Sequence, residues 1–73
     1  MDIDEKMKEI AERIKKRREE LTLSYDELEK KTGIKKTILN KYETGEISSI
    51  PIDKFELLAK DLEIDPAKLM GWI

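Results

Sequence analysis

Met7, Ile10, Ala11, Ile14 and Leu21 recur at spacings of three, four and seven. That is one face of a 3.6-residue period and predicts a first helix from Asp4 to Leu21. The acids Asp2, Asp4 and Glu5 come first and the bases Arg13, Lys15, Lys16, Arg17 and Arg18 later, an order that suits the helix dipole. Glu19 and Glu20 run against it. Ser24-Tyr25-Asp26-Glu27 then forms a capping box, with Leu23 and Leu28 at the hydrophobic-staple positions. It opens a second helix of about eight residues, over 25–32, which ends at Gly33. So short a helix needs tertiary packing to persist. A third helix spans about 35–44 and closes at Gly45. Ile34, Ile38, Leu39 and Tyr42 share one of its faces, and Lys36, Thr37, Asn40, Lys41 and Thr44 share the opposite one.

After the loop Glu46 to Ile50, Pro51 suits the first turn of a fourth helix. Ile52, Phe55, Leu58, Ala59 and Leu62 make its apolar stripe. Asp65-Pro66 is an N-cap followed by proline at the first helical position of a fifth helix, with Ile64 and Leu69 as its staple. Gly71 ends that helix. Trp72 reads as a plug folding back on the core rather than as a stacking platform. The expected architecture is all-α, a five-helix bundle in one domain over residues 1–73.

Composition narrows the function. The 73 residues include no Cys and no His. This removes disulfides, thiolate nucleophiles, zinc–thiolate sites and the commonest general base and metal ligand. No metal or cofactor is expected, and no enzymatic activity. No apolar run exceeds three residues, so no segment reads as membrane-spanning or as a signal peptide, and a cytoplasmic setting fits. Carboxylates such as Asp61 and Glu63 read as solvated faces.

The net charge of −2 counts against a nucleic-acid partner. Its distribution counts the other way. Residues 1–37 carry 11 basic and 10 acidic side chains, and residues 38–73 carry 4 and 7. The outer stripe of the third helix holds no acid, although 17 of the 73 residues are acidic. A domain acidic overall can still present one basic face. The run Lys15 to Arg18 is open to two readings, a charged surface or a phosphate contact.

Two short helices joined at Gly33-Ile34, the second exposing a small-polar and basic stripe, define a helix-turn-helix. The segments IAERIKKRREE, LSYDELEKKTGI, LNKYETGE and PIDKFELLAKDLEIDPAKLMGW occur in order over Ile10 to Trp72. Together they resemble the phage-repressor and Cro-type helix-turn-helix DNA-binding domain, which has the lambda-repressor-like fold. The resemblance implies a transcriptional regulator of repressor type that binds double-stranded DNA as a homodimer and can be a monomer in isolation. Helix two would lie across the backbone and helix three would enter the major groove. Leu28, Gly33, Leu39 and Tyr42 fall on the structural positions of the motif. The expected DNA-facing set is Tyr25, Lys35, Lys36, Thr37, Asn40, Lys41 and Thr44. Arg18 and Glu43 match a pair that ties helix one to the recognition helix. The ending LMGW resembles the close of a repressor N-terminal domain, where a linker and second domain would follow, so an excised or stand-alone domain is expected.

Some positions depart from the family pattern. Tyr25 and Asp26 stand where the family commonly has Gln, and Asp26 would repel phosphate. Tyr25 is open to two readings, a wedge beside helix one or a phosphate hydrogen bond. Glu29 replaces a small residue at the crossing of helices two and three. Glu29→Ala is therefore expected to stabilise, unless the carboxylate finds a partner such as a Lys or Arg. Thr22 replaces a helix-ending Gly, and Lys35 replaces a Ser cap. These departures fit an alternative in which the fold is kept as a scaffold or interaction domain. The abundance of Lys, Glu and Ile fits a thermophilic or a redesigned sequence.

Overall fold

The computed structural model describes residues 3–47 and 49–73. Asp2, expected among the leading acids, and Ser48 of the loop lie outside the described residues. Five helices follow in order: α1 Ile3–Glu20, α2 Tyr25–Thr32, α3 Lys36–Thr44, α4 Ile52–Asp61 and α5 Pro66–Met70. No strand occurs among the described residues. The protein is all-α.

The periodic residues of α1 become its buried face, with Ile10, Ala11 and Ile14 enclosed. α1 packs against α3 and α5, α2 against α3 and α4, and α4 against α5. Leu28, Ile34, Leu39, Tyr42, Phe55, Leu58, Ala59, Leu62 and Leu69 complete one continuous core with Ile10 and Ile14. Met7, Leu21, Leu23, Ile38 and Ile64 pack around it, so both hydrophobic staples have their two members against the core. Burial pushes the Tyr42 phenol above its ordinary pKa, with nearby Asp53 acting in the same direction.

Local chemistry sets the helix ends. The capping box of α2 is complete: the Glu27 amide donates to Ser24 Oγ at 3.1 Å and the Ser24 amide donates to Glu27 Oε1 at 2.8 Å. Asp65 caps α5 through the Ala67 amide, with Pro66 at the first helical position. Thr22 closes α1 with φ +54°, the left-handed conformation that its family glycine would take freely. The Thr22 and Leu23 amides bond back to Glu19 and Arg18. Glu63 closes α4 in the same way, with φ +56°.

The sequence reading needs correction at several positions. Helix three begins at Lys36, leaving Lys35 as the N-cap residue with no side-chain cap bond. Pro51 stands one position before α4, at its N-cap, rather than in its first turn. Ile52 is 72% exposed, because the first residue of α4 projects past the end of the core. Trp72 is 69% exposed and is not a core plug. Leu69 already fills the site beneath α5, and the turn at Gly71 leads the chain outward. Trp72 instead lies along an apolar groove of about 380 Å³ with Met7, Ile50, Ile52, Phe55 and Met70. Asp61 is half-buried rather than solvated, since it shares a helix face with Leu58, and its Oδ2 is enclosed without a hydrogen-bond partner among the described residues.

Candidate nucleic-acid interface

α2 and α3 meet through a three-residue connection, Gly33 to Lys35. Gly33 adopts φ +77° and its amide bonds to the Glu29 carbonyl at 2.7 Å. A Cβ there would meet nothing within 4 Å, so the requirement for glycine is conformational rather than steric. Thr32 fastens the turn from within. Its buried hydroxyl donates to the Leu28 carbonyl at 2.9 Å and accepts from the Ile34 amide at 3.0 Å. Ile34 and Leu39 then anchor α3 in the core.

This anchoring turns the other side of α3 outward. Lys35, Lys36, Thr37, Asn40 and Thr44 are exposed, and Lys41 is half-buried. Six of the seven expected site residues therefore lie on or beside one face, and no acidic residue of α3 shares it. The acid within α3, Glu43, points inward and is buried. Tyr25, the seventh, is half-buried at the start of α2.

Beneath this face lies an ion-pair network. Arg18 Nε and Nη2 donate to the two oxygens of Glu43 at 2.7 and 3.1 Å, and Arg18 Nη1 donates to the Leu23 carbonyl at 2.8 Å. Only 1% of the Glu43 side chain and 11% of the Arg18 side chain are accessible. The hydrogen bond donated to Glu43 raises the Arg18 pKa further above its already high value, against the opposing effect of burial. This is the pair expected from the sequence, with one partner that was not. The Tyr25 hydroxyl donates to Glu43 Oε1 at 2.8 Å and accepts from Asn40 Nδ2 at 3.2 Å, while Arg18 sits 4.3 Å from the Tyr25 ring centroid. The Tyr25 ring thus lies beside helix one, the position that the wedge reading describes.

Two carboxylates of α2 also behave differently from expectation. Glu29 Oε1 accepts from the Lys36 backbone amide at 3.0 Å. It therefore caps α3 from the neighbouring helix, supplying what Lys35 does not, and its charge lies at the favourable end of the helix dipole. The partner of Glu29 is the Lys36 main-chain amide rather than a Lys or Arg side chain, so Glu29→Ala would remove a cap. Asp26 Oδ1 lies 2.9 Å from Lys36 Nζ, and this hydrogen bond and charge raise the lysine pKa. Both side chains are exposed. Asp26 is thus neutralised by a lysine of the same face instead of standing alone against phosphate.

The basic run of α1 divides. Lys15 and Lys16 are exposed, whereas Arg17 and Arg18 turn into the protein. Arg17 Nε and Nη2 donate to the Leu62 and Glu63 carbonyls at 2.8 and 3.1 Å, satisfying acceptors after the end of α4. The bonds made by Thr32 and Arg17 are not expected from the sequence, and for Glu29 a partner is expected but not the Lys36 amide. Only Thr32 had a local signal, a hydroxyl one residue before a helix-ending glycine.

Among the described residues, no group of three or more carboxylate, His or Cys side chains is placed to hold a metal ion. No described helix is long and apolar enough to cross a membrane.

Two short helices joined by a glycine turn, the second anchored by one face and presenting a basic and polar stripe on the other, make this a helix-turn-helix domain. The chain belongs to the helix-turn-helix family, of the Cro and repressor type: the family model matches residues 14–69, from the middle of α1 into α5. This is a family of DNA-binding regulatory domains rather than of enzymes. No curated protein and no solved structure matches the chain significantly.

Proposed function

We propose that this domain binds double-stranded DNA sequence-specifically, as a cytoplasmic transcriptional regulator of repressor type, with α3 in the major groove. The observation that carries this reading is the outer face of α3, which holds no acid of its own and where Asp26 of α2 is paired with Lys36. Lys35 and Lys41 offer cations for phosphate, whereas Lys36 is paired with Asp26. Thr37 and Asn40 offer hydroxyl and amide groups for base edges. Thr44 extends the polar stripe, and Tyr25 supports it from α2. One such domain reads a half-site, so the working form on DNA is a homodimer.

The Asp26–Lys36 pair and the net charge of −2 favour a second reading, a scaffold or interaction domain that retains the fold. Selection from a pool of randomised duplexes separates the two. A regulator enriches a defined half-site, repeated with two-fold symmetry. A scaffold returns the starting pool unchanged.

A further inference from the structure

The Asn40 amide is held, not free. Glu43 accepts from Arg18 through both oxygens of its carboxylate, and a carboxylate can only accept hydrogen bonds. The Tyr25 hydroxyl proton must therefore point to Glu43, 2.8 Å away. That leaves the phenol oxygen as an acceptor, and the Asn40 group 3.2 Å from it must be the nitrogen. The chemistry of the chain Arg18–Glu43–Tyr25–Asn40 thus fixes which way the amide is turned. One N–H of Asn40 is used by Tyr25. One N–H and the carbonyl oxygen are left on an exposed residue of α3. Those two groups are the donor and acceptor that complement adenine N7 and N6.

We propose that Tyr25 is a positioning residue for base choice, through which the buried Arg18–Glu43 pair orients the Asn40 amide to read one adenine in the major groove. This rests on the DNA-binding reading above. Freed from Tyr25, the amide could rotate and present two donors or a lone acceptor, which other bases can satisfy. Holding it in one orientation removes those alternatives before the duplex arrives. Tyr25 itself need touch no base.

Binding is measured on the selected half-site and on the same site with the A·T pair read by Asn40 changed to each other pair. The Asn40→Ala variant locates that pair. Tyr25→Phe keeps the ring under Arg18 and removes only the hydroxyl. It should lower the preference for adenine at that pair by roughly tenfold, within the range for one bidentate contact. Affinity for random duplex and its salt dependence should stay unchanged, and adding Asn40→Ala should bring no further loss. A merely structural tyrosine would weaken binding to every sequence alike. Asn40→Ala alters an exposed site and keeps the test open however Tyr25→Phe folds: a site preference unchanged in it overturns the proposal. An unchanged preference in folded Tyr25→Phe, with wild type still discriminating, overturns the positioning role alone. Absence of salt-sensitive duplex binding by wild type removes the DNA reading and this inference with it.

Discussion

Glu43 is the buried acid that joins α1, α2 and α3. Its carboxylate takes two hydrogen bonds from Arg18 and one from Tyr25 in an almost closed site. Removing one member of a buried pair leaves the other desolvated and unpaired. Glu43→Ala should therefore destabilise by about 3 kcal/mol, the low end for breaking buried pairs, since Arg18 keeps the Leu23 carbonyl. Denaturant unfolding of both proteins gives the value, and a change near zero would place the pair in the class of exposed ones. Thr22 is the opposite case, a residue at odds with its backbone. A β-branched side chain at φ +54° carries a strain of order 1–2 kcal/mol. Thr22→Gly should relieve part of it, with the greater unfolded-state entropy of glycine offsetting the rest. A net stabilisation of about 0.5–1 kcal/mol is expected from the same unfolding experiment.

At the scale of elements, caps decide how α2 and α3 are held. α3 has no cap of its own and borrows the Glu29 carboxylate of α2. Glu29→Ala should destabilise by about 0.5–1 kcal/mol, a lost cap reduced by the better helix propensity of alanine. Thermal unfolding checks the sign, and an increase in Tm would show that the cap contributes nothing. The capping box of α2 carries a pH dependence. The Ser24 backbone and hydroxyl hydrogen bonds hold the Glu27 carboxyl below the usual glutamate range. Its folded-state pKa is therefore below its unfolded value, so the contribution is fully present above about pH 4.3 and is lost as pH falls through the folded value. Glu27→Gln removes that titration. Its stability relative to wild type should rise as pH falls from neutral to below 4, and a constant difference would deny the box a role. The elements were legible where their signals are local. The capping box, the glycine ends and the 3.6-residue periods lie within a few positions of one another. The Arg18–Glu43 pair came from the family resemblance. The Glu29 bond to the Lys36 amide and the Tyr25 bonds to Glu43 and Asn40 join residues on different helices. They depend on a crossing geometry that no spacing along the chain expresses. Trp72 was misread for a related reason: periodicity marks a residue as apolar but does not say where the chain points after a left-handed turn.

For the whole molecule, the decisive quantity is the field at one face. The protein is acidic in total, yet its acids are disposed so that α3 keeps a basic exterior: Glu43 is buried and paired, Glu29 is bound to a backbone amide, and Asp26 is paired with Lys36. Binding through such a face rests on phosphate neutralisation and must weaken as salt rises. Lys41, beside Asn40 on this face, lies near the helix centre and makes no ion pair among the described residues. The most direct measurement is the equilibrium constant for a duplex as a function of salt concentration, for wild type and Lys41→Ala. Wild type should show affinity falling linearly on logarithmic axes. Lys41→Ala should weaken binding to specific and random duplexes alike and lower the slope by about one. A wild-type affinity too weak to measure at low salt, or one indifferent to salt, would contradict DNA binding by this face.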